Sequence, residues 1–309
     1  MNTIGKKCTM DFSAIKTSSP GTWDYRWKQF ADRDIHWSRL LFLAYEKIYG
    51  CKSYFVTCKE GTHGAYQAFL RYGDVLRHPF NFGGPLGSAC VGIAYSIVDW
   101  KRREEIRREY CTLHPLLYKS QLEILQKAPM LPRQVKDAVY IDLTKPYDLR
   151  ETHRQVLGYA RDNSVSVSVV ANDSVNLGEF ASLYTDHMER KSAADHWRFP
   201  RQYFPVMAAC LGDMMSMLFA YMDNELQGGC VLLHSGTTAY YHYAASIAAP
   251  KSVGINHSMV MAAAEWAKAA GYSKLFLGGG IRPDDGLFLF KSGFSKDRAP
   301  VYQYETVTP

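Results

Sequence analysis

The stretch "MSMLFAYMDNELQGGCVLLHSGTTAYYHYAAS", residues 215–246, restricts the possible folds more than any other part of the chain. Three runs rich in β-branched, aromatic and aliphatic residues are separated by "DNELQGG" and "HSGTT", both turn-forming. Such runs with short turns between them predict three antiparallel strands joined as a meander. A glycine-containing loop, "KSVGIN" (251–256), then leads into the helical pattern "NHSMVMAAAEWAKAAG" and a strand "KLFLGG". Meander, loop, long helix and strand in this order predict an α/β chain with mixed, mainly antiparallel sheets flanked by helices.

The remaining segments extend the same alternation. "SVSVSVV" reads as a strand, "NLGEFASLYTDHMERKSA" and "PRQYFPVMAACLGD" as helices, and "VYQYETV" as a last strand. In the first half, "DIHWSRLLFLAYEKIYG" has apolar residues at helical spacing and ends at Gly50, a candidate C-terminal cap. "KSYFVTCKE", "AYQAFLRYG" and "AVYIDLT" read as strands, with "HPFNFGGPLGSAC" as a Gly/Pro loop. "TKPYDLRE" is expected to open a helix, with Thr144 as N-cap and Pro146 in its first turn. The 309 residues suffice for two domains. They are expected at 1–148 and 149–309.

Composition removes several classes. Seven cysteines are scattered without a C-x-x-C pair, and ten histidines show no H-E-x-x-H spacing, so neither a disulfide framework nor a metal is expected. The first twenty residues lack a secretory apolar core, and no run approaches the ~20 apolar residues of a membrane span. A soluble, cytoplasmic protein is the expectation. The formal charge of +6 favours anionic partners. In the densest basic run, "DWKRREEIRREY", glutamates offset the arginines, which reads as a solvated helix face.

Candidate chemistry concentrates near the C-terminus. In "GLFLFKSGFSK" (286–296) Lys291 follows Phe290 inside an apolar run. Either its stem packs on Phe288 and Phe290 while the head reaches water, or the cation is held where its charge is used. Gly279 and Gly280 in "LGGGIRPDD" let backbone approach a ligand closely, or form only a turn with Asp284 and Asp285. "KSVGIN" either presents free N–H groups of a helix N-terminus to an anion, through Gly254 and Asn256, or is a strand-to-helix connection capped by Asn256 or Ser252. Alternation places Tyr241 and Tyr243 on one face of their strand and His242 on the other. Glu225 and Asp223 read as exposed turn residues, and His114 as either structural or functional. There is no G-x-S-x-G nucleophile elbow and no phosphate-binding P-loop.

The segments "YYHYAAS", "NHSMVMAAAEWAKAAGYSKLFLGGG" and "DGLFLFKSGFS" resemble the C-terminal domain of the FemA/FemB/FemX family of non-ribosomal peptidyltransferases. That family is built from two tandem GCN5-type (GNAT) domains and adds amino acids from aminoacyl-tRNA to a peptidoglycan precursor. The resemblance covers residues 150–309 and extends through "HPFNFGGPLGS". It implies a degenerate, acceptor-side first domain and a catalytic, donor-side second domain. It also implies that Lys291 stabilises charge on the reacting carbonyl or holds the donor's phosphate, that Phe290 shapes the pocket, and that Tyr241, with Tyr243, lies near the reacting groups. Arg198 and Tyr203, in "HWRFPRQYFPV", fall where the family places contacts to the acceptor. Where its first-domain loop has an aspartate after Gly-Pro, this chain has Gly87 and Ser88. No long helical arm is visible, as in the compact FemX type.

The expected function is therefore amide-bond formation by an aminoacyltransferase, with aminoacyl-tRNA as co-substrate, an amine on a peptide-like or nucleotide-linked acceptor, and no bound cofactor. The alternatives are an acyl-CoA-dependent N-acyltransferase of a small amine or amino sugar, and a non-catalytic GNAT-like binding protein.

Overall fold

A computed structural model describes residues 11–28, 33–60, 63–87, 91–125, 131–248 and 253–308. Two compact units result: residues 1–135 with 300–309, and residues 136–299. The "AVYIDLT" strand falls in the second unit, ahead of the expected division at 148/149, because it pairs with a strand of that unit's sheet (Ile141 opposite Leu275).

In the first unit, antiparallel strands β1 (Asp11–Lys16), β2 (Lys52–Glu60) and β3 (His63–Tyr72) are extended by the short β4 (Val75–Arg77). Two further two-residue strands, β5 (Phe82–Gly83) and β6 (Leu86–Gly87), lie in the Gly/Pro loop. Helices α1 (Pro20–Lys28) and α2 (Arg39–Tyr49) cover one face, and α2 ends at Gly50 in the left-handed conformation, as its sequence predicts. Alternation sorts the side chains of β2 and β3. Tyr54, Val56, Cys58, Ala65 and Phe69 pack with Trp100 of α3 (Val91–Arg103), while Phe55, Tyr66, Ala68 and Leu70 pack with Trp23, Trp37 and Phe42.

The basic run does not form one solvated helix face. Helix α3 stops at Arg103, and β7 (Arg108–Leu113) begins after a turn with Glu105 at φ 55°. Arg102, Arg103, Arg107 and Arg108 are exposed, but Lys101 and Glu109 are almost fully buried. Lys101 Nζ donates to Glu109 at 3.0 Å and to Thr306 at 2.7 Å; Gln67 and the Tyr304 hydroxyl donate to the other carboxylate oxygen at 3.0 and 2.7 Å. Thr306 and Tyr304 belong to β14 (Arg298–Val307), which pairs antiparallel with β7. Burial acts to raise the Glu109 carboxyl, but Lys101 and the surrounding donors outweigh it and hold it at about 2. Helix α4 (Tyr118–Leu125) completes the unit.

In the second unit, β8 (Arg133–Asp142) pairs antiparallel with β13 (Lys274–Gly278), which runs parallel to β12 (Thr238–Ser246). The meander β12, β11 (Glu225–Ser235), β10 (Met215–Met222) and β9 (Ser166–Val170) is antiparallel throughout. Asp223 and Asn224, both at positive φ, form the tight β10–β11 turn. The expected helix start at Thr144 is displaced: Thr144 bonds back to Asp142, and α5 (Glu151–Asp162) begins after Arg150. Helices α6 (Ser174–Arg190) and α7 (Tyr203–Leu211) lie along the chain before β10. Helix α8 (Ile255–Ala269) buries Ile255, Met259, Val260, Ala263, Ala264 and Ala267 against the sheet, the spacing of a one-sided helix. No helix among the described residues is long and apolar enough to cross a membrane.

Removing one partner of a buried ion pair strands the other charge, so Lys101→Met and Glu109→Gln should each destabilise the protein by about 3–5 kcal/mol. The double variant should lose clearly less than the sum of the two. Urea unfolding checks both, and additive losses would contradict the coupling.

Candidate functional site

The end of β13 brings a glycine turn, a capped helix and a partly buried lysine together. Three glycines follow Leu277, and the next helix, α9 (Gly286–Lys291), ends on Lys291. Asp285 caps α9: its carboxylate accepts from the backbone N–H groups of Phe288 (2.9 Å), Ile281 (2.7 Å) and Arg282 (2.9 Å). Partial burial acts to raise this carboxyl, and the N–H donors prevail and lower it. Asp285 is therefore a loop-organising residue, which "RPDDG" alone does not distinguish from a plain turn. Gly280 has no room for a side chain, since a Cβ would lie 2.1 Å from Asp285 Oδ1, and at Gly279 a Cβ would lie 2.8 Å from the Asp137 carbonyl.

Lys291 turns back onto this loop. Its Nζ donates to the Gly279 carbonyl at 2.9 Å, and Gly278, at φ 76°, leaves the ammonium room. Burial, and next the charge of Lys136, lower its pKa to about 8, with Asp285 opposing. The ammonium is thus held on the loop carbonyl. Phe288 and Phe290 pack against the core cluster beneath α8, while Leu287 and Leu289 are exposed.

Helix α5 holds α9 from the other side. His153 Nε2 donates to the Phe290 carbonyl at 2.9 Å, and the Arg150 guanidinium donates to Ser292 Oγ at 3.1 Å. The His153 ring contacts Phe294 and the ring of His257 in the first turn of α8, with centroids 4.6 and 4.5 Å away. Phe290 lies 5.0 Å from His257. Burial, and then His153, depress His257 to about 4, so both rings are neutral at pH 7. Nothing in the sequence marked His153 or His257, because each is the third residue of its helix and the two helices lie far apart in the chain, with no recognisable spacing between them.

Helix α8 starts at the same end of the sheet, since a crossover between parallel β12 and β13 returns its N-terminus to their C-terminal ends. Gly254, at φ 82°, is its N-cap and has no side-chain capping bond. A Cβ there would lie 2.9 Å from the Val156 carbonyl and from Ala160 of α5. Asn256 does not cap the helix; it reaches Ser246 Oγ at 3.3 Å, and the Ser246 carbonyl also accepts from His187 and Arg190 of α6. Lys251 and Ser252 lie outside the described residues, as does Ser88.

The aromatic strand departs from simple alternation. Val231 pairs with Tyr243 and Leu232 with Tyr241, so His242 is the extra residue of a β-bulge. The bulge sends Tyr241 to the α8 side, where burial and the Cys230 thiol push its phenol well up. Tyr243 faces the opposite way. Its hydroxyl bonds that of Tyr203, and both rings sit with Phe199, Phe204 and Tyr184. Arg198 is half-exposed and donates to the Ala193 carbonyl at 3.2 Å. Lys291, Phe290, Gly279, Gly280 and the α8 N-terminus with Gly254 and Asn256 therefore share one end of the sheet. Tyr203, Tyr243 and Arg198 lie on the α6–α7 side. An open cavity of about 550 Å³ lies elsewhere, lined by Asp213, His234 and Trp266 beside the start of β13.

Residues 148–285 match the sequence profile of the acetyltransferase (GNAT) domain. No curated protein matches the chain by sequence. Among solved structures the fold is that of tandem GNAT proteins. FemX superposes with a TM-score of 0.69 over 96% of this chain and 97% of its own, at 12% identity. A tandem GNAT protein from the clavulanic acid biosynthesis pathway gives 0.58 over 96% and 98%, at 11% identity. The C-terminal domain of a putative lysylphosphatidylglycerol synthetase from Agrobacterium fabrum gives 0.57 over 78% and 80%, at 17% identity. The chain has a FemX-like tandem GNAT fold.

Histidines buried neutral bind protons more readily once unfolded, so the contribution of His257 is fully present above about pH 6.5 and is lost as the pH falls through about 4. His257→Gln should make the decline of Tm between pH 6.5 and 4 shallower than in the wild type. Calorimetry across that range measures it, and an unchanged slope would contradict the assignment.

Proposed function

We propose that the second unit transfers an activated aminoacyl group, supplied by aminoacyl-tRNA, to an amine on a peptide-like or nucleotide-linked acceptor. The observation that carries this reading is the Lys291 ammonium held on the Gly279 carbonyl, at the end of the sheet where α8 also begins. A cation fixed there suits a carbonyl that becomes an oxyanion when an amine attacks it. Positioning of the two substrates supplies about 7–11 kcal/mol of such a reaction. One preorganised donor at the oxyanion adds roughly 3–4 kcal/mol, and a partly buried cation is stronger than one in water. The resemblance of the C-terminal segments to the FemA/FemB/FemX family and the overall likeness to FemX support the aminoacyl donor.

A second reading, acyl-CoA as donor, is favoured by one feature: α8 begins at a glycine with no side-chain cap, which leaves N–H groups of its first turn for an anion such as pyrophosphate. Phe290 and Tyr241 pack against one core cluster and would shape the wall beside the reacting carbonyl in either case.

Transfer of labelled amino acid from a charged-tRNA pool to amine acceptors should be abolished by ribonuclease; transfer persisting with acyl-CoA alone would replace the first reading by the second. Lys291→Met should lower kcat by about 10²–10³-fold with the fold intact. Full activity in that variant would remove Lys291 from the chemistry. Because the charged form acts and its pKa is about 8, kcat should fall as the pH rises through that value.

A further inference from the structure

A second lysine meets the same loop. Lys136, near the start of β8, donates its Nζ to the Gly280 carbonyl and reaches the Ile281 carbonyl at 3.5 Å. Lys291 holds the carbonyl just before, that of Gly279. Two ammonium groups thus sit on consecutive carbonyls of one glycine turn, and the charge of Lys136 is felt at Lys291. Among the described residues neither has a carboxylate within 4 Å, and the Asp285 carboxylate nearby is engaged by three backbone N–H groups. A pair of like charges, partly buried and opposed by the single Asp285 carboxylate, is a costly arrangement that a single structural anchor would not need.

Resting on the acyl-transfer reading, we propose that Lys136 is a positioning residue that acts through Lys291: it clamps the adjacent carbonyl and supplies the like charge that readies Lys291 to give up a proton. Lys291 is then both the cation at the oxyanion and the acid for the leaving group. As the amine nitrogen bonds to the carbonyl carbon, the ester C–O bond breaks and its electron pair stays on the leaving oxygen. That oxygen takes a proton from Lys291 Nζ. The neutral Nζ then takes the proton shed by the new amide nitrogen, so Lys291 ends as it began. An acid serves best when its pKa lies near the working pH, and an ordinary lysine, at about 10.4, is far from it. The charged groups acting on Lys291 are Lys136 from β8 and Asp285 at the head of α9. Arg150 and His153 of α5 engage the α9 backbone and Ser292, and His257 of α8 meets the Phe290 ring.

The test reads the proton on Lys291 directly and needs no substrate. Competitive labelling of lysines with a trace amine-reactive anhydride across pH 6–11, quantified by mass spectrometry, gives the Lys291 midpoint. It should lie near 8 in the wild type. In Lys136→Met and Lys136→Gln it should rise by at least about 0.3 pH unit, a twofold change in the protonation equilibrium, while Lys136→Arg, which keeps the charge, should leave it low. A midpoint that is the same in the wild type and both neutral variants would overturn the proposal. In transfer assays the alkaline fall of kcat should shift upward with the midpoint. If the midpoint moves but no donor gives product, the acyl-transfer reading fails while the coupling of the two lysines stands.

Discussion

The bond between the Lys291 ammonium and the Gly279 carbonyl is the contact on which the rest of this site depends. It requires a glycine turn that brings a carbonyl within reach, a helix whose last residue points back at that turn, and a wall that takes water from the lysine stem. Each requirement is met by a different part of the second unit. The glycines give the close approach, Asp285 fixes where α9 starts, and His153 with Arg150 fixes where it ends. The core beneath α8 receives Phe288 and Phe290 and so sets the face that α9 presents.

The parallel pair β12–β13, among second-unit strands whose other described pairings are antiparallel, explains why the site lies where it does. A crossover from β12 to β13 must return through a helix, and that helix necessarily starts at the strands' C-terminal ends. The helix N-terminus, the glycine turn and the lysine are therefore neighbours by topology. The bulge at His242 adds a second constraint, since it separates Tyr241 from Tyr243 and leaves just the first of the two on the α8 side.

Much of this was legible in the residues. The meander, its two turns, the long helix and the glycine strand follow from period-two and period-3.6 patterns, and Gly50 and Lys291 stood out by position. Other features were hidden for physical reasons. A bulge changes the facing of side chains without changing composition, so the tyrosines seemed to share a face. The run around Lys101 and Glu109 has the charges of a solvated helix, and partners distant in sequence, Gln67 of β3 with Tyr304 and Thr306 of β14, make burial of that pair tolerable. Thr144 looks like a helix cap but bonds to Asp142 two residues back. Lys136 and His153 gain their meaning from contacts with residues far along the chain, the Gly280 and Phe290 carbonyls.

The central claim is that the chain joins an activated acyl group to an amine at the end of β13. It is tested most directly by incubating the protein with a total charged-tRNA pool and, separately, with a panel of acyl-CoAs, in the presence of small amine and peptide acceptors, and weighing the acceptors. The account predicts an acceptor heavier by one aminoacyl residue in the charged-tRNA mixture. Acceptors unchanged in mass with every donor would contradict it.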